Sequence, residues 1–435
     1  ERNRQPGCVA ARGAARGIDE LVAVATVVID SIAAGGDGVG RSDGLVIFVP
    51  RTVPGDTVNA QVTVKGRFAR GILRAVVTPS PLRIDPPCPH YTRDKCGGCQ
   101  LQHIDYSDGQ RAAKRTIIHD ALQRIGKREV DVPAVVRSPK EWRYRTKLTL
   151  TMRRRGERWV AGLHPYDDPA RIFALSDCPI TDSRVVAAWR EIMNADAFLP
   201  EAIELRGSVR ITSGGPTFVL SGGRRWSAWE SFASAAPSLA ALWWEPVEEP
   251  RRLLFDKRDD RSPSASFAQV NAEMAEVLGE YVFQRVLDYN PQSVVDAYSG
   301  AGHIAIQLSQ RGVVVTAIEL DRDASRWAAE RLPAPSRAIA AKVEDALPGV
   351  LPAQVVILNP PRAGVDPRVT STLEREVGHL QAVIYVSCNP ATLARDLSRL
   401  PSYHIEAVQG FDMFPQTAHV ETVCVLRPAS DESRV

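Results

Sequence analysis

The chain predicts a multidomain protein: a small N-terminal β-barrel of the OB-like kind, a central α+β domain around a group of cysteines, and a C-terminal doubly wound α/β domain. Three observations carry this reading. The 435 residues suit two to four domains at about 100–200 residues each. Residues 18–80 hold short apolar runs separated by glycine and proline turns. From about residue 261, apolar runs alternate with helical stretches and Gly- or Pro-containing loops. The predicted boundaries are 18–80, 81–260 and 261–430.

In the first domain the strand-like runs are Leu21–Ile29, Leu45–Val49, Thr57–Val64 and Gly71–Val77. Between them lie the turns Ala33–Gly40 and Pro54-Gly55-Asp56, a spacing typical of small barrels. Prolines 79, 81, 86, 87 and 89 mark the boundary. Arg12 and Arg16 precede the run at Leu21, the pattern of a signal peptide. Asp19 and Glu20 sit where such a signal carries positive charge, however, and Thr26 interrupts the run, so it reads as a strand. No stretch approaches the roughly 20 apolar residues that span a bilayer. The expected location is the cytoplasm, with no membrane association, no protein partner and a monomeric state.

The composition, 44% hydrophobic and 24% charged, excludes a mainly disordered chain. The formal charge of +3 hides an uneven distribution. Residues 101–160 hold 15 Lys/Arg against 7 Asp/Glu, whereas residues 291–435 hold 13 against 16. A basic middle is either a solvated surface or a footprint for a phosphate backbone. Gln110–Gln123 reads as a helix. Glu141–Leu150 reads as a strand with Arg143, Tyr144, Arg145 and Lys147 along it, adding stacking to charge. No motif is visible in 190–255.

Cys88, Cys96 and Cys99 lie together, and Cys178 follows in Ser176-Asp-Cys-Pro179. The short Cys96-Gly-Gly-Cys99 loop lets two thiolates reach one centre. Four sulfurs suit tetrahedral zinc or an iron–sulfur cluster, and chemistry alone does not separate them.

In the last domain, strands are expected at Val294–Tyr298, Val313–Leu320, Val355–Leu358 and Ala382–Ser387, with helices at 302–310 and Ala324–Arg331. The Asp296–Gly302 loop, with Gly300-x-Gly302-x-x-Ala305, fits a nucleoside-containing cofactor approaching the backbone. Glu319 is placed to take ribose hydroxyls, and both NAD and S-adenosylmethionine remain open. Leu358-Asn-Pro-Pro-Arg362 and Tyr385-Val-Ser-Cys-Asn-Pro390 follow successive strands, so both face the ligand edge. Cys388, before a helix N-terminus, reads either as a thiol with a lowered pKa or as a buried core cysteine. Glu421 interrupts an apolar strand, where a carboxylate is costly unless surface-turned, paired or used.

Taken together these residues resemble the class I RNA 5-methyluridine methyltransferases, the family with a TRAM domain and an iron–sulfur cluster. Leu21–Val77 resembles the TRAM barrel. Cys88, Cys96, Cys99 and Cys178 match the four cluster cysteines. Ser266–Asn271, Asp296–Gly302 and Glu319 match cofactor segments, Tyr385–Asp396 the nucleophile motif, and Phe414–Val423 the general-base motif. The resemblance implies methylation of uridine C5 in ribosomal or transfer RNA, with Cys388 as nucleophile and Glu421 as base. It implies S-adenosylmethionine held by Gln269, Tyr298, Gly300, Glu319 and Asn359, uracil met by Asn359 and Arg362, and a [4Fe-4S] cluster on the four cysteines.

The sequence departs from the family in three places. Asn359 stands where the family usually has Asp, Ala268 replaces a common aromatic, and seven residues separate Cys88 from Cys96. Lys342 lies where an acidic or amide residue often contacts adenine, and no role is carried over. Two rival readings are an amino-methyltransferase using Asn359-Pro-Pro361 and an RNA-binding protein with a degenerate methyltransferase domain.

Overall fold

The computed structural model describes residues 22–259 and 269–429. Leu21, Cys8 and the segment Ser266–Ala268 lie outside the described residues. Five strands close the N-terminal barrel: β1 (Val22–Ile32), β2 (Gly38–Ser42), β3 (Leu45–Val49), β4 (Thr57–Lys65) and β5 (Phe68–Thr78), in the order β1-β2-β3-β5-β4. Alternate residues, among them Val27, Ile29, Ile47, Val49, Val58 and Ala60, fill its interior. β2 falls on residues expected to form a turn. Its glycines permit close strand approach: a Cβ on Gly40 would lie 2.2 Å from the Val28 carbonyl oxygen.

The central sheet contains β6 (Lys147–Arg155), β7 (Arg158–Leu163), β8 (Phe173–Ala174), β9 (Glu204–Thr212), β10 (Gly215–Ser221), β11 (Ala241–Glu245) and β12 (Arg252–Asp256), in the order β12-β11-β10-β9-β6-β7-β8. The segment without a sequence motif thus supplies β9 to β12. The strand expected over Glu141–Leu150 begins only at Lys147. Arg143 has a φ of 55°, which breaks the extended run. Its guanidinium grips Asp177 and the carbonyls of Cys178 and Thr181. Tyr144 is buried and donates to the Pro415 carbonyl at 2.9 Å. Neither residue belongs to a basic strand face.

The C-terminal sheet has β13 (Ser293–Ala297), β14 (Val314–Glu319), β15 (Arg337–Ala340), β16 (Val355–Leu358), β17 (Ala382–Ser387), β18 (Tyr403–Phe411) and β19 (Glu421–Pro428), in the order β15-β14-β13-β16-β17-β19-β18. The first five strands are parallel, and β19 runs antiparallel to both neighbours. Near-continuous apolar strands feed a core on each face: Val295, Val356, Val383 and Tyr385 on one, Val294, Val355, Ile357 and Ile384 on the other. Strand order reverses at β13, with β14 on one side and β16 on the other. That is the switch point where such sheets bind ligands. Ile118 and Leu122, on the helix Arg111–Arg124, share a core with Leu393 and Leu397. The central chain is thereby fixed against the last domain. Among the described residues no helix is long and apolar enough to cross a membrane.

Candidate active site

At the carboxyl end of β13 the chain turns through Tyr298 (φ 61°), Gly300 (φ 56°) and Gly302 (φ 74°). A Cβ on Gly302 would lie 2.8 Å from the Ala328 methyl, whereas one on Gly300 would meet nothing within 4 Å. Gly302 therefore serves packing against the helix Arg322–Ala329, and Gly300 borders open space. Glu319, the last residue of β14, accepts from the Gly300 N–H at 2.9 Å and the Asp321 N–H at 2.8 Å. Asp296 is buried beneath the loop, and burial, reinforced by the Glu319 charge, pushes its pKa up to about 7.

Gln269 opens the second described stretch. Its neighbours are pinned between domains. The Val270 carbonyl accepts from Thr146 N–H at 2.7 Å. The Asn271 amide donates to Ser138 Oγ at 3.0 Å and the Met413 carbonyl at 3.2 Å. The rest of the matched segment, Ser266–Ala268, is outside the described residues.

Asn359 follows β16, and its N–H donates to the Ala297 carbonyl at 3.2 Å, which sets it beside the glycine loop. The following loop is lashed to the helix Pro390–Leu397. Asp396, fully buried, accepts from Val365 N–H at 3.0 Å and the Tyr385 hydroxyl at 2.8 Å, and pairs with Arg395 and Arg399. Thr392 Oγ1 donates to the Arg362 carbonyl and Arg395 to that of Ala363. Gly364 (φ 82°) is needed here, because a Cβ would sit 2.2 Å from Asp396 Oδ2. The result delivers Arg362 to hydrogen-bonding range of Cys388.

Cys388 lies between the end of β17 and that helix, whose first N–H groups at Ala391 and Thr392 are capped by Asn389. Ser387 pairs with Thr422 across β17 and β19, so one step further sets Cys388 opposite Glu421. A lowered thiol pKa is not found. Burial pushes the thiol up, the Glu421 charge adds to this, and Arg362 offsets part of it by charge and hydrogen bond. Glu421 is 3% exposed. Burial raises its pKa to about 7 against the opposing pull of Arg362. It is neither surface-turned nor part of an uninterrupted strand, since it begins β19.

The sequence reading missed what holds the loop before Glu421. Lys114 and Asp412, both fully buried, form an ion pair, and Lys114 also donates to the Phe414 carbonyl at 3.0 Å. Gln110 and Gln416 exchange two hydrogen bonds, each 2.9 Å. The Leu101 N–H donates to the Gln416 carbonyl at 3.0 Å. A lysine on an amphipathic helix reads as surface, so nothing local flagged Lys114. Asp412, a carboxylate between Phe411 and Met413, carried the same signal as Glu421.

Cys88, Cys96, Cys99 and Cys178 line one cavity of about 300 Å³, with Arg145, Thr149 and Arg206 also on its wall. Arg51 of the barrel lies over the Tyr91 ring, 3.3 Å from its centroid, and donates to the Cys96 carbonyl at 2.7 Å. Among the described residues, no group of three or more His, Cys, Asp or Glu side chains is placed to hold a metal ion. Cys424 is buried in β19.

A doubly wound sheet with a glycine cradle at its switch point, joined to a β-barrel, is the architecture of a Rossmann-like methyltransferase with an added N-terminal module. The Pyrococcus abyssi tRNA (uracil-54, C5)-methyltransferase, solved with S-adenosyl-L-homocysteine, shares this fold: TM-score 0.67, 23% identity, covering 92% of this chain and 99% of that one. A family profile for tRNA (uracil-5-)-methyltransferases matches residues 349–428. An uncharacterized RNA methyltransferase of Gloeobacter violaceus is 34% identical over 92% of this chain and 96% of its own length. The 23S rRNA (uracil(1939)-C(5))-methyltransferase RlmD of Dichelobacter nodosus is 30% identical over 90% and 96%. The chain belongs to the class I RNA 5-methyluridine methyltransferase family. Of the two cofactors the glycine loop left open, family membership selects S-adenosylmethionine.

Proposed function

We propose that this chain methylates uridine C5 in structured ribosomal or transfer RNA through a transient bond between Cys388 Sγ and uracil C6. The observation that carries the mechanism is the placement of the Cys388 thiol opposite Glu421, with Arg362 on the thiol. Uracil C5 is a weak nucleophile. Addition of the Cys388 thiolate to C6 shifts the electron pair of the C5–C6 double bond toward C5 and O4, giving an enolate. Bound S-adenosylmethionine supplies the electrophilic methyl and leaves as S-adenosylhomocysteine. Glu421 then takes the C5 proton, the C5–C6 double bond re-forms, and the thiolate departs. A base inside a helix cannot present C6 to a thiol, so the target uridine leaves its stack.

The cofactor fits the cradle described above. Open space at Gly300, Glu319 on the Gly300 N–H and Asn359 beside Ala297 support this reading; Tyr298 and Gln269 are assigned to the cofactor, and Asn359 and Arg362 to uracil, by the family resemblance. The Asn amide accepts from uracil N3–H and donates to O4, so the usual acid is not required. The amino-methyltransferase alternative is disfavoured, because the residue after Asn359-Pro-Pro is Arg362, engaged with Cys388 rather than offering an aromatic face.

The four cysteines fit an iron–sulfur cluster by donor chemistry: four thiols line one cavity, and an arginine compensates charge behind them. When bound the cluster would tie the Cys88–Cys99 loop to Cys178. Anaerobically purified protein should be brown, with iron and sulfide in equal amounts; stoichiometric zinc without iron overturns the cluster. The barrel is assigned as the TRAM module, and the enzyme as a cytoplasmic monomer.

Incubation with 5-fluorouridine RNA and S-adenosylmethionine tests the mechanism. A covalent protein–RNA adduct is expected, and it disappears in Cys388→Ala. An undiminished adduct in that variant overturns the assignment. Absence of any turnover on unmodified RNA would favour the degenerate RNA-binding reading.

A further inference from the structure

The central sheet is apolar on one face only. Leu148, Leu150, Met152, Leu205 and Val209 pack beneath the helix Ser183–Asn194. The strand period sends the intervening residues the other way. Register then aligns cations across two strands on the opposite face. Lys147 pairs with Arg210 and Thr151 with Arg206, with Thr149 opposite Ser208 between them. The Thr149 and Ser208 hydroxyls bond each other at 3.0 Å. Arg206 is exposed and Lys147 half-buried. The row through Ser208 continues across β10 to Trp243 of β11, whose ring lies under Arg251 at 5.4 Å.

These charges form a like-signed group. Burial holds the Lys147 ammonium at about 8, and Arg210, Arg145 and Arg206, the other groups acting on it, push the same way. Lys147 and Arg206 thus face the same side among like-signed neighbours, a field that favours an anion there. Arg145 links the group to the catalytic edge. It is within electrostatic range of His419, two residues before Glu421, as Arg362 is from the other side. Arg145 thus acts on both His419 and Lys147.

We infer that the phosphate backbone of the RNA substrate lies across this open sheet face, on Lys147 and Arg206 with Arg210 behind them, and passes Arg145 to reach Cys388. The inference rests on the reading of the chain as an RNA methyltransferase. The charge is matched to a polyanion, the Ser208 hydroxyl, which accepts from Thr149, keeps its proton for a phosphate oxygen, and Trp243 with Arg251 over its ring lies at the far end. Lys147 faces Arg210, four residues along β9 from Arg206, so Lys147 and Arg206 stand on the order of 14 Å apart, a span that a backbone carrying a charge at every nucleotide bridges.

The test uses the full-length protein and unmodified transfer RNA and ribosomal RNA fragments transcribed in vitro. Binding is measured from 50 to 300 mM salt for wild type, Lys147→Gln, Arg206→Gln, and Arg331→Gln as a control remote from the sheet. Each of the first two variants should lower the slope of log affinity against log salt by about 1 and weaken binding several-fold. KM should rise with kcat retained at saturating RNA, and the control should match wild type. Arg206 also borders the cysteine cavity, so iron content is measured in parallel, and Lys147→Gln carries the test if that content changes. Unchanged slopes in both variants, equal loss in the control, or no RNA binding by wild type overturns the inference. Wild type that binds RNA but forms no 5-methyluridine defeats the functional reading instead and leaves this surface standing.

Discussion

Cys388 and Glu421 occupy facing positions at the same end of two antiparallel strands: Ser387 pairs with Thr422, and the next step outward brings thiol and carboxylate across from each other. In the proposed mechanism the thiol adds at C6 and the carboxylate takes the proton from C5, so the two must stand near one uracil ring. Glu421→Gln removes the proton acceptor but leaves the nucleophile. It should therefore stall after methyl transfer and accumulate a covalent complex with ordinary uridine RNA. Denaturing gel electrophoresis checks this, and free product at the wild-type rate would contradict the assignment of the base.

The pH dependence follows from the two raised pKa values. Turnover needs Glu421 ionised, so it should fall below about pH 7. Adduct formation with 5-fluorouridine RNA needs the Cys388 thiolate, and its limb should lie above the ordinary thiol range because burial and the Glu421 charge disfavour ionisation. Arg362 lowers both groups, so Arg362→Gln should move both limbs to higher pH. Rates of adduct formation and of methylation, each measured from pH 5 to 10, separate the two.

Stability should show the same carboxylate. Glu421 has a folded pKa of about 7 against a reference value of 4.5. Between those values the native state binds more protons than the unfolded chain, so this group makes stability fall as pH rises through that window. The loss is complete above about 7 and on the order of 3 kcal/mol. Glu421→Gln should raise the melting temperature at pH 8 and leave it unchanged near pH 4. A gain equal at both values would show that ionisation is not the cause.

The buried Lys114–Asp412 pair fixes the loop leading to Glu421. Lys114→Met leaves an uncompensated buried carboxylate and should cost about 3–5 kcal/mol, with a fall in kcat. Lys114→Met combined with Asp412→Leu should recover most of the stability. Urea unfolding of the two singles and the double measures the coupling.

Gly364 is constrained twice, by a φ of 82° and by Asp396 Oδ2 at 2.2 Å from any added Cβ. Gly364→Ala should destabilise by about 1–3 kcal/mol and displace the Pro361–Val365 loop. Alkylation of Cys388 should then slow at fixed pH, as Arg362 leaves the thiol. An alkylation rate equal to wild type would separate the loop from the nucleophile.

Much of the fold was legible because it is written in local periodicity. Val355–Leu358 and Ala382–Ser387 read as buried strands and have those bounds. The motif residues at the sheet edge followed from strand-then-loop order. The basic strand at Glu141–Leu150 was misread, because Arg143 and Tyr144 owe their places to Asp177 and Pro415, distant partners that no local pattern announces. β2 was missed because its glycines mimic a turn.

The sequence by itself determined the three-part order of elements, the nucleophile and base candidates, and the family resemblance, since each rests on residue type and short-range spacing. Only the tertiary structure decided how those residues act on one another. It set Cys388 near Glu421, brought Arg362 to the thiol, buried Lys114 on Asp412, and put Lys147 of the basic middle on one sheet face with Arg206 and Arg210 from outside it. Charge, burial and hydrogen-bond geometry depend on contacts across 133 to 298 residues of chain, and a one-dimensional pattern does not contain them.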